Sequence, residues 1–239
     1  MRPSSALAVV TALLLTGCSY LPPLPEQSDI EGTADVVEPT SEPTTWSPDG
    51  FGTRERVAVR VRNVGCGGVS TGSGFALSPN QLVTNRHVVA GATTLQISTY
   101  DGQDLLVDAT GVGLVADLAI VETRSTLPAA VTLADANPAV GDAVEIVGYP
   151  GGGRLTSTSG AVLGYEPDPL NANAGDVVIT DAKAEPGSSG SPMYDEGGVV
   201  VGVVYAATED GSHSLAVPVQ TLQQILDDAS FDDELPACP

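Results

Sequence analysis

A serine hydroxyl attacks a carbonyl efficiently only when a neighbouring base takes its proton. This chain has two glycine-flanked serine segments and only two histidines from which such a pair could form. The first segment, Gly68-Val69-Ser70-Thr71-Gly72, fits the Gly-x-Ser-x-Gly pattern of a nucleophile elbow, with His213 downstream. An elbow needs a helix straight after its serine, but Gly72-Ser73-Gly74-Phe75-Ala76-Leu77-Ser78-Pro79 reads as a glycine-broken strand ending at a proline. Ser70 is therefore set aside. The second segment, Gly187-Ser188-Ser189-Gly190-Ser191-Pro192, follows two others in chain order: Thr84-Asn85-Arg86-His87-Val88-Val89 and Asp117-Leu118-Ala119-Ile120-Val121. Each alone is ordinary: a structural histidine, a carboxylate at a strand end, a flexible Gly/Ser turn. Their order and flanks taken together point to chemistry.

These three stretches resemble the trypsin-like serine proteases, and the longer run Thr180-Asp181-Ala182-Lys183-Ala184-Glu185-Pro186-Gly187-Ser188-Ser189-Gly190 resembles the HtrA branch of that family. The chain is most similar to membrane-anchored periplasmic proteases of actinobacteria, which also place one cysteine ahead of the Gly-x-Gly-Phe strand and another near the chain end. The resemblance covers about residues 55–238 and includes no PDZ domain. It implies an endopeptidase acting on protein substrates, with Ser189 as nucleophile, His87 as general acid and base, and Asp117 as the carboxylate that orients the imidazole. Gly187, Ser188 and Ser189 form the expected oxyanion hole. No cofactor and no metal are implied.

Two positions depart from the family pattern. Ser188 stands where trypsins usually carry an acidic residue, which argues against activation by a newly cut N-terminus. Ser191 stands where a glycine is usual, and its Cβ either tightens the loop or leaves it partly collapsed. Family spacing puts Lys183 at the base of the S1 pocket, where a cation would favour an acidic P1 side chain. In the other reading Lys183 turns outward and Ala184, Tyr205, Ala206 and Ala207 line an apolar pocket. His213 reads as a loop histidine near the substrate cleft, and Tyr149-Pro150-Gly151-Gly152-Gly153 as a flexible loop without the lysine or helix of a phosphate site.

The elements that must position these residues are strands. Arg56-Val57-Ala58-Val59-Arg60-Val61-Arg62 alternates, so its valines face a core. Short β-branched runs recur at Leu95–Tyr100, Ala143–Val147, Val177–Thr180 and Val199–Ala206, separated by turn residues rather than by helical patterns. Val219, Leu222, Ile225 and Leu226 behind Pro218 mark a terminal helix. The expected fold is all-β: two antiparallel six-stranded β-barrels of chymotrypsin type at about 54–127 and 138–218, the cleft between them, and a C-terminal helix at about 219–229.

Before this protease domain, 53–239, the sequence is of a different kind. Residues 1–17 carry Arg2 and then an apolar run from Ala6 to Leu15, too short to span a bilayer and suited to an export signal. Leu15-Thr16-Gly17-Cys18 resembles the lipobox of bacterial lipoproteins, which implies lipid attachment at Cys18 and a membrane-anchored, extracytoplasmic protein. Residues 18–52 hold prolines and acidic residues but no Lys or Arg, and read as an extended tether. Trp46 in that tether either docks on the domain or is exposed. With Cys18 lipidated, Cys66 and Cys238 are left as an even pair for a disulfide in an oxidising compartment.

Composition agrees with this reading. Of 239 residues, 42% are apolar and 4% aromatic, with 27 Gly and 18 Pro, which suits many short strands better than a helical bundle. Nine Lys+Arg against 30 Asp+Glu give a net charge of -21, which repels phosphate backbones and excludes nucleic acid as an expected partner. A rival reading from another class keeps the fold without useful turnover, as a catalytically weak binding or sensing module; Ser188 and Ser191 are what favour it.

Overall fold

The computed structural model describes residues 50–65, 67–113, 116–173, 175–228 and 231–232. The expectations for the export signal, Cys18, the tether up to residue 49 with Trp46, and the Cys66–Cys238 pair lie outside the described residues.

A five-residue helix, α1 (Thr53–Val57), leads into β1 (Ala58–Gly65), β2 (Gly68–Ser78) and β3 (Gln81–Thr84). A single helical turn, α2 (Arg86–Val89), precedes β4 (Ala92–Thr99), β5 (Asp104–Leu105), β6 (Val107–Gly113) and β7 (Ala119–Thr123). The second half runs through β8 (Ala143–Gly148), β9 (Thr156–Pro167), β10 (Asp176–Thr180), β11 (Pro192–Tyr194), β12 (Val200–Ala207) and β13 (Ser214–Pro218). Helix α3 (Val219–Asp228) and the two-residue β14 (Phe231–Asp232) follow.

The second half closes as the expected six-stranded barrel, in the order β10-β13-β12-β11-β8-β9. The first half differs. It is an eight-stranded sheet, β14-β6-β7-β3-β2-β1-β4-β5, rather than a closed six-stranded barrel. Its edges are the two shortest strands, and β14, arriving from beyond α3, pairs with β6 at one of them. The ladder therefore ends at β5 and β14 instead of joining them.

The alternating arginine–valine run sets its burial as read, with Val57, Val59 and Val61 all at 1% exposure, but its first two residues belong to α1 and the strand begins at Ala58. Arg54 on α1 ties the two halves together through an ion pair with Glu145 and bonds to the carbonyls of Asp195 and Glu196. Helix α3 buries Val219, Leu222 and Ile225, a helical spacing that seats one face on the domain. One apolar cluster runs through residues of both halves, from Val59 and Phe75 to Tyr205 and Leu222; a second fills the closed barrel around Ile146, Val178 and Met193. Among the described residues no helix is long and apolar enough to cross a membrane.

Candidate active site

Strand register brings the first two sequence motifs together. Thr84, the last residue of β3, pairs with Ala119, the first of β7, so the chain leaving β3 and the chain entering β7 meet at one end of the sheet. Asn85 is fully buried there and its side-chain amide donates to the Asp117 carbonyl at 2.7 Å. Val88 and Val89 anchor α2 in the core and leave His87 exposed. Asp117, 4% exposed, receives His87 twice: its Oδ1 accepts the His87 backbone N–H at 2.9 Å, and its Oδ2 lies 2.5 Å from Nδ1 of the ring. A proton on Nδ1 is thereby held by the carboxylate, and Nε2 is left as the basic nitrogen.

The third motif lies between β10 and β11 and is fastened to β2 and β12. Ser73 donates its amide to the Ser189 carbonyl at 2.7 Å, Gly190 donates to the Val204 carbonyl at 2.7 Å, and Val204 returns a bond to Ser191 at 2.9 Å. Gly190 has φ +88, and a Cβ there would collide with the Ser73 carbonyl, so only glycine fits. In this state the Ser189 hydroxyl donates to the Tyr205 carbonyl at 3.2 Å and not to His87.

The backbone around Ser189 turns two N–H groups away from any protein acceptor among the described residues. The Pro186 carbonyl accepts the Gly151 amide at 2.6 Å, which, across a trans peptide, turns the Gly187 N–H the opposite way. Gly187 sits at φ +95, in the region that favours glycine. Neither the Gly187 N–H nor the Ser189 N–H has a hydrogen-bond acceptor among the described residues. Ser188, expected beside them, is different: its N–H is committed to the Glu185 carbonyl at 2.8 Å, so it is no donor to the hole. Its hydroxyl accepts the Glu185 amide at 3.2 Å, the local bond that stands where trypsins use an acidic side chain.

The remaining sequence candidates divide. Lys183 is exposed and lines a cavity of about 180 Å³ with Pro150, Thr156, Thr158 and Glu185. Tyr205, Ala206 and Ala207, the alternative apolar lining, are not in that cavity's wall. Ala184 gives its amide to the Ser214 hydroxyl at 2.8 Å. Ser70 lies exposed within the unbroken strand β2, with no helix after it, which removes the elbow reading. His213 bonds inside its own hairpin, its Nδ1 3.0 Å from the Ser212 hydroxyl and its amide on Thr208. The Tyr149–Gly153 loop forms a turn of 3₁₀ helix over Pro150–Gly152. Among the described residues no three His, Cys, Asp or Glu cluster as metal ligands would.

Sequence reasoning missed three supports of the site. Ser73, fully buried, donates its hydroxyl to the Gly187 carbonyl at 2.8 Å and accepts the Tyr149 amide at 2.8 Å. Asn85 holds the Asp117 carbonyl, and Asn173 accepts the Asp117 amide on Oδ1 at 2.8 Å. Ser73 stood between two glycines in an apolar strand, a signal that could have marked it. Asn173 gave none.

Comparison with known proteins follows from this geometry. A trypsin-like peptidase domain model matches residues 72–203, and the chain belongs to that family. It is similar to serine protease Rv3671c of Mycobacterium tuberculosis, 33% identical over 174 residues, which is 67% of this chain and 42% of that protein. The predicted DegP-like periplasmic serine endoprotease of Hahella chejuensis is 32% identical over 165 residues, 66% of this chain and 35% of the relative. The chain thus spans less than half the length of these relatives. The crystal structure of the M. tuberculosis Rv3671c protease in its active form aligns with TM-score 0.68 at 28% identity, covering 77% of this chain and 85% of that one. The HtrA-type protease AlgW with a tripeptide aligns with TM-score 0.64 at 26% identity, covering 74% and 62% respectively.

Proposed function

We propose that this protein is an extracytoplasmic serine endopeptidase that cleaves protein substrates through an acyl-enzyme. The observation that carries the reading is the His87–Asp117 pair, together with a Ser189 loop whose Gly187 and Ser189 amides have no acceptor among the described residues. Ser189 Oγ adds to the scissile carbonyl as His87 Nε2 takes its proton, and the oxyanion that forms receives the two free N–H groups. Each such donor contributes roughly 3 kcal/mol in the transition state. The imidazolium, stabilised by Asp117, then protonates the leaving amine, and water attacking the ester by the reverse sequence releases the acid. The test is labelling with a fluorophosphonate and turnover of a peptide library: both are expected for the wild type and absent from Ser189→Ala. Labelling that survives Ser189→Ala refutes the assignment.

The second reading, a trypsin-like binding module with weak or no turnover, is favoured by one observation: the Ser189 hydroxyl is engaged by Tyr205 rather than by His87. A correctly folded wild type that neither labels nor hydrolyses, yet binds peptides, is its signature.

Lipid attachment at Cys18, a tether over residues 18–52 and a Cys66–Cys238 disulfide complete the proposal. DegP-like relatives are described as periplasmic, which supports a site of action outside the cytoplasm. Cys18→Ala is expected to move the protein from the membrane fraction to the soluble one. Mild reduction is expected to lower the melting temperature, and two free thiols in intact protein would remove the disulfide.

A further inference from the structure

A buried carboxylate outside the His87–Asp117–Ser189 set has no cation beside it. Asp168 follows β9 and is 7% exposed. Its Oδ1 accepts the Leu170 amide at 2.9 Å and the Tyr205 hydroxyl at 2.5 Å. Its Oδ2 accepts the Ala172 amide at 2.7 Å, the Asn173 amide at 2.8 Å and the Asn173 side-chain amide at 2.9 Å. Among the described residues it makes no ion pair.

A turn needs only the backbone donors. The two side chains are additional, and each leads to a reacting group. Asn173, oriented by Asp168 through Nδ2, offers Oδ1 to the Asp117 amide at 2.8 Å. Tyr205, whose ring is fixed by its hydroxyl on Asp168, presents the carbonyl that holds the Ser189 hydroxyl. Asp117 lies just before β7 in the first half, and Tyr205 and Ser189 lie in the second. Asp168 links the surroundings of Asp117 to those of Ser189.

Resting on the acyl-enzyme reading above, we propose that Asp168 is a positioning residue for this reaction: through Asn173 it sets the Asp117 carboxylate against His87, and through Tyr205 it sets the strand that borders Ser189. The charge on Asp168 is well supported. Burial opposes it, but the Tyr205 hydroxyl and the amides of Leu170 and Asn173 together hold its carboxyl below the usual carboxylate value. An asparagine at 168 would turn an N–H group toward donors and could not satisfy both branches.

The test uses the full chain, with kcat counted per Ser189 titrated by fluorophosphonate so that unfolded molecules drop out. Asp168→Asn and Asn173→Ala are each expected to lower that kcat by about tenfold or more, with KM moving less than about threefold, because misplacing a reacting group acts on the transition state. Tyr205→Phe, which loosens only the branch that ends at Ser189, is expected to lower kcat by less than Asp168→Asn. A second readout needs no turnover: the downfield proton resonance of the His87 Nδ1–H bound to Asp117 is expected to move upfield or broaden in Asp168→Asn. Wild-type kcat per titrated site together with a wild-type resonance overturns the proposal, whatever happens to the melting temperature, and reduces Asp168 to a loop staple. Absence of labelling in the wild type instead refutes the protease reading, and the resonance still decides the role of Asp168.

Discussion

The hydroxyl of Ser73, fully buried on β2, donates to the carbonyl of Gly187 at 2.8 Å, across a sequence separation of 114 residues. The same oxygen accepts the Tyr149 amide, so one atom joins the first sheet, the loop that carries Gly151 and the loop that carries Ser189. Ser73→Ala leaves the Gly187 carbonyl and the Tyr149 N–H without that partner. Orphaning buried backbone groups costs roughly 1–3 kcal/mol. The expected result is a lower melting temperature and, because the Gly187 peptide loses its support, a fall in kcat of about tenfold or more at similar KM. Unchanged kcat would show that the Gly151 bond to the Pro186 carbonyl is enough to hold the Gly187 N–H in place.

Ser191 has a different cost. It is fully buried and its hydroxyl has no partner among the described residues. Ser191→Ala deletes the orphaned group and is expected to raise the denaturation midpoint, by about 1 kcal/mol of stability or more. The space above it is closed by Gly148, where an added Cβ would collide with the Ser191 hydroxyl. Gly148→Ala is therefore expected to destabilise the wild type and to be relieved by Ser191→Gly in the same chain. Without relief in the double variant, Ser191 is not the obstacle.

Buried phenols define the alkaline limit. Burial pushes the Tyr149 hydroxyl up to about 12, with Arg60 opposing, and pushes Tyr194 and Tyr205 higher still. A group whose pKa is raised by folding contributes stability that is complete below its unfolded value, near 10, and lost as pH rises through the folded value. The denaturation midpoint is expected to fall from about pH 10 toward pH 12. Tyr194→Phe, which removes a buried hydroxyl with no partner, should flatten that fall and raise stability at neutral pH. A fall of the same steepness in Tyr194→Phe would contradict the assignment.

Asp168 sets an acidic edge of the opposite sign. Its carboxyl is held below the ordinary 3.8, so its contribution is present above that value and lost as pH falls through the lower folded one. Stability measured in acid is expected to drop less steeply in Asp168→Asn than in the wild type. Parallel slopes would mean that other carboxylates carry the transition.

Substrate preference follows from where Lys183 stands. Its cavity is walled by Thr156, Thr158 and Glu185, apart from the Tyr205–Ala207 strand. Lys183→Ala is therefore expected to leave the P1 preference in place. Acidic P1 residues favoured by the wild type and lost in Lys183→Ala would restore the cationic pocket.

What depends on local pattern was legible in the chain. Alternation along β1 buried Val59 and Val61, helical spacing placed Leu222 and Ile225 in the core, and three short motifs marked His87, Asp117 and Ser189. Only the tertiary structure decided what depends on register and on distant partners. The pairing of Thr84 with Ala119 brings His87 to Asp117, and β14 leaves the first sheet open at eight strands. The Ser188 amide goes to Glu185, and a loop far along the chain supplies Asp168 and Asn173. The reason is physical: burial follows from hydrophobic periodicity within a few residues, whereas a hydrogen bond to a buried backbone group is set by whichever distant segment packs there, and nothing in the local composition names it.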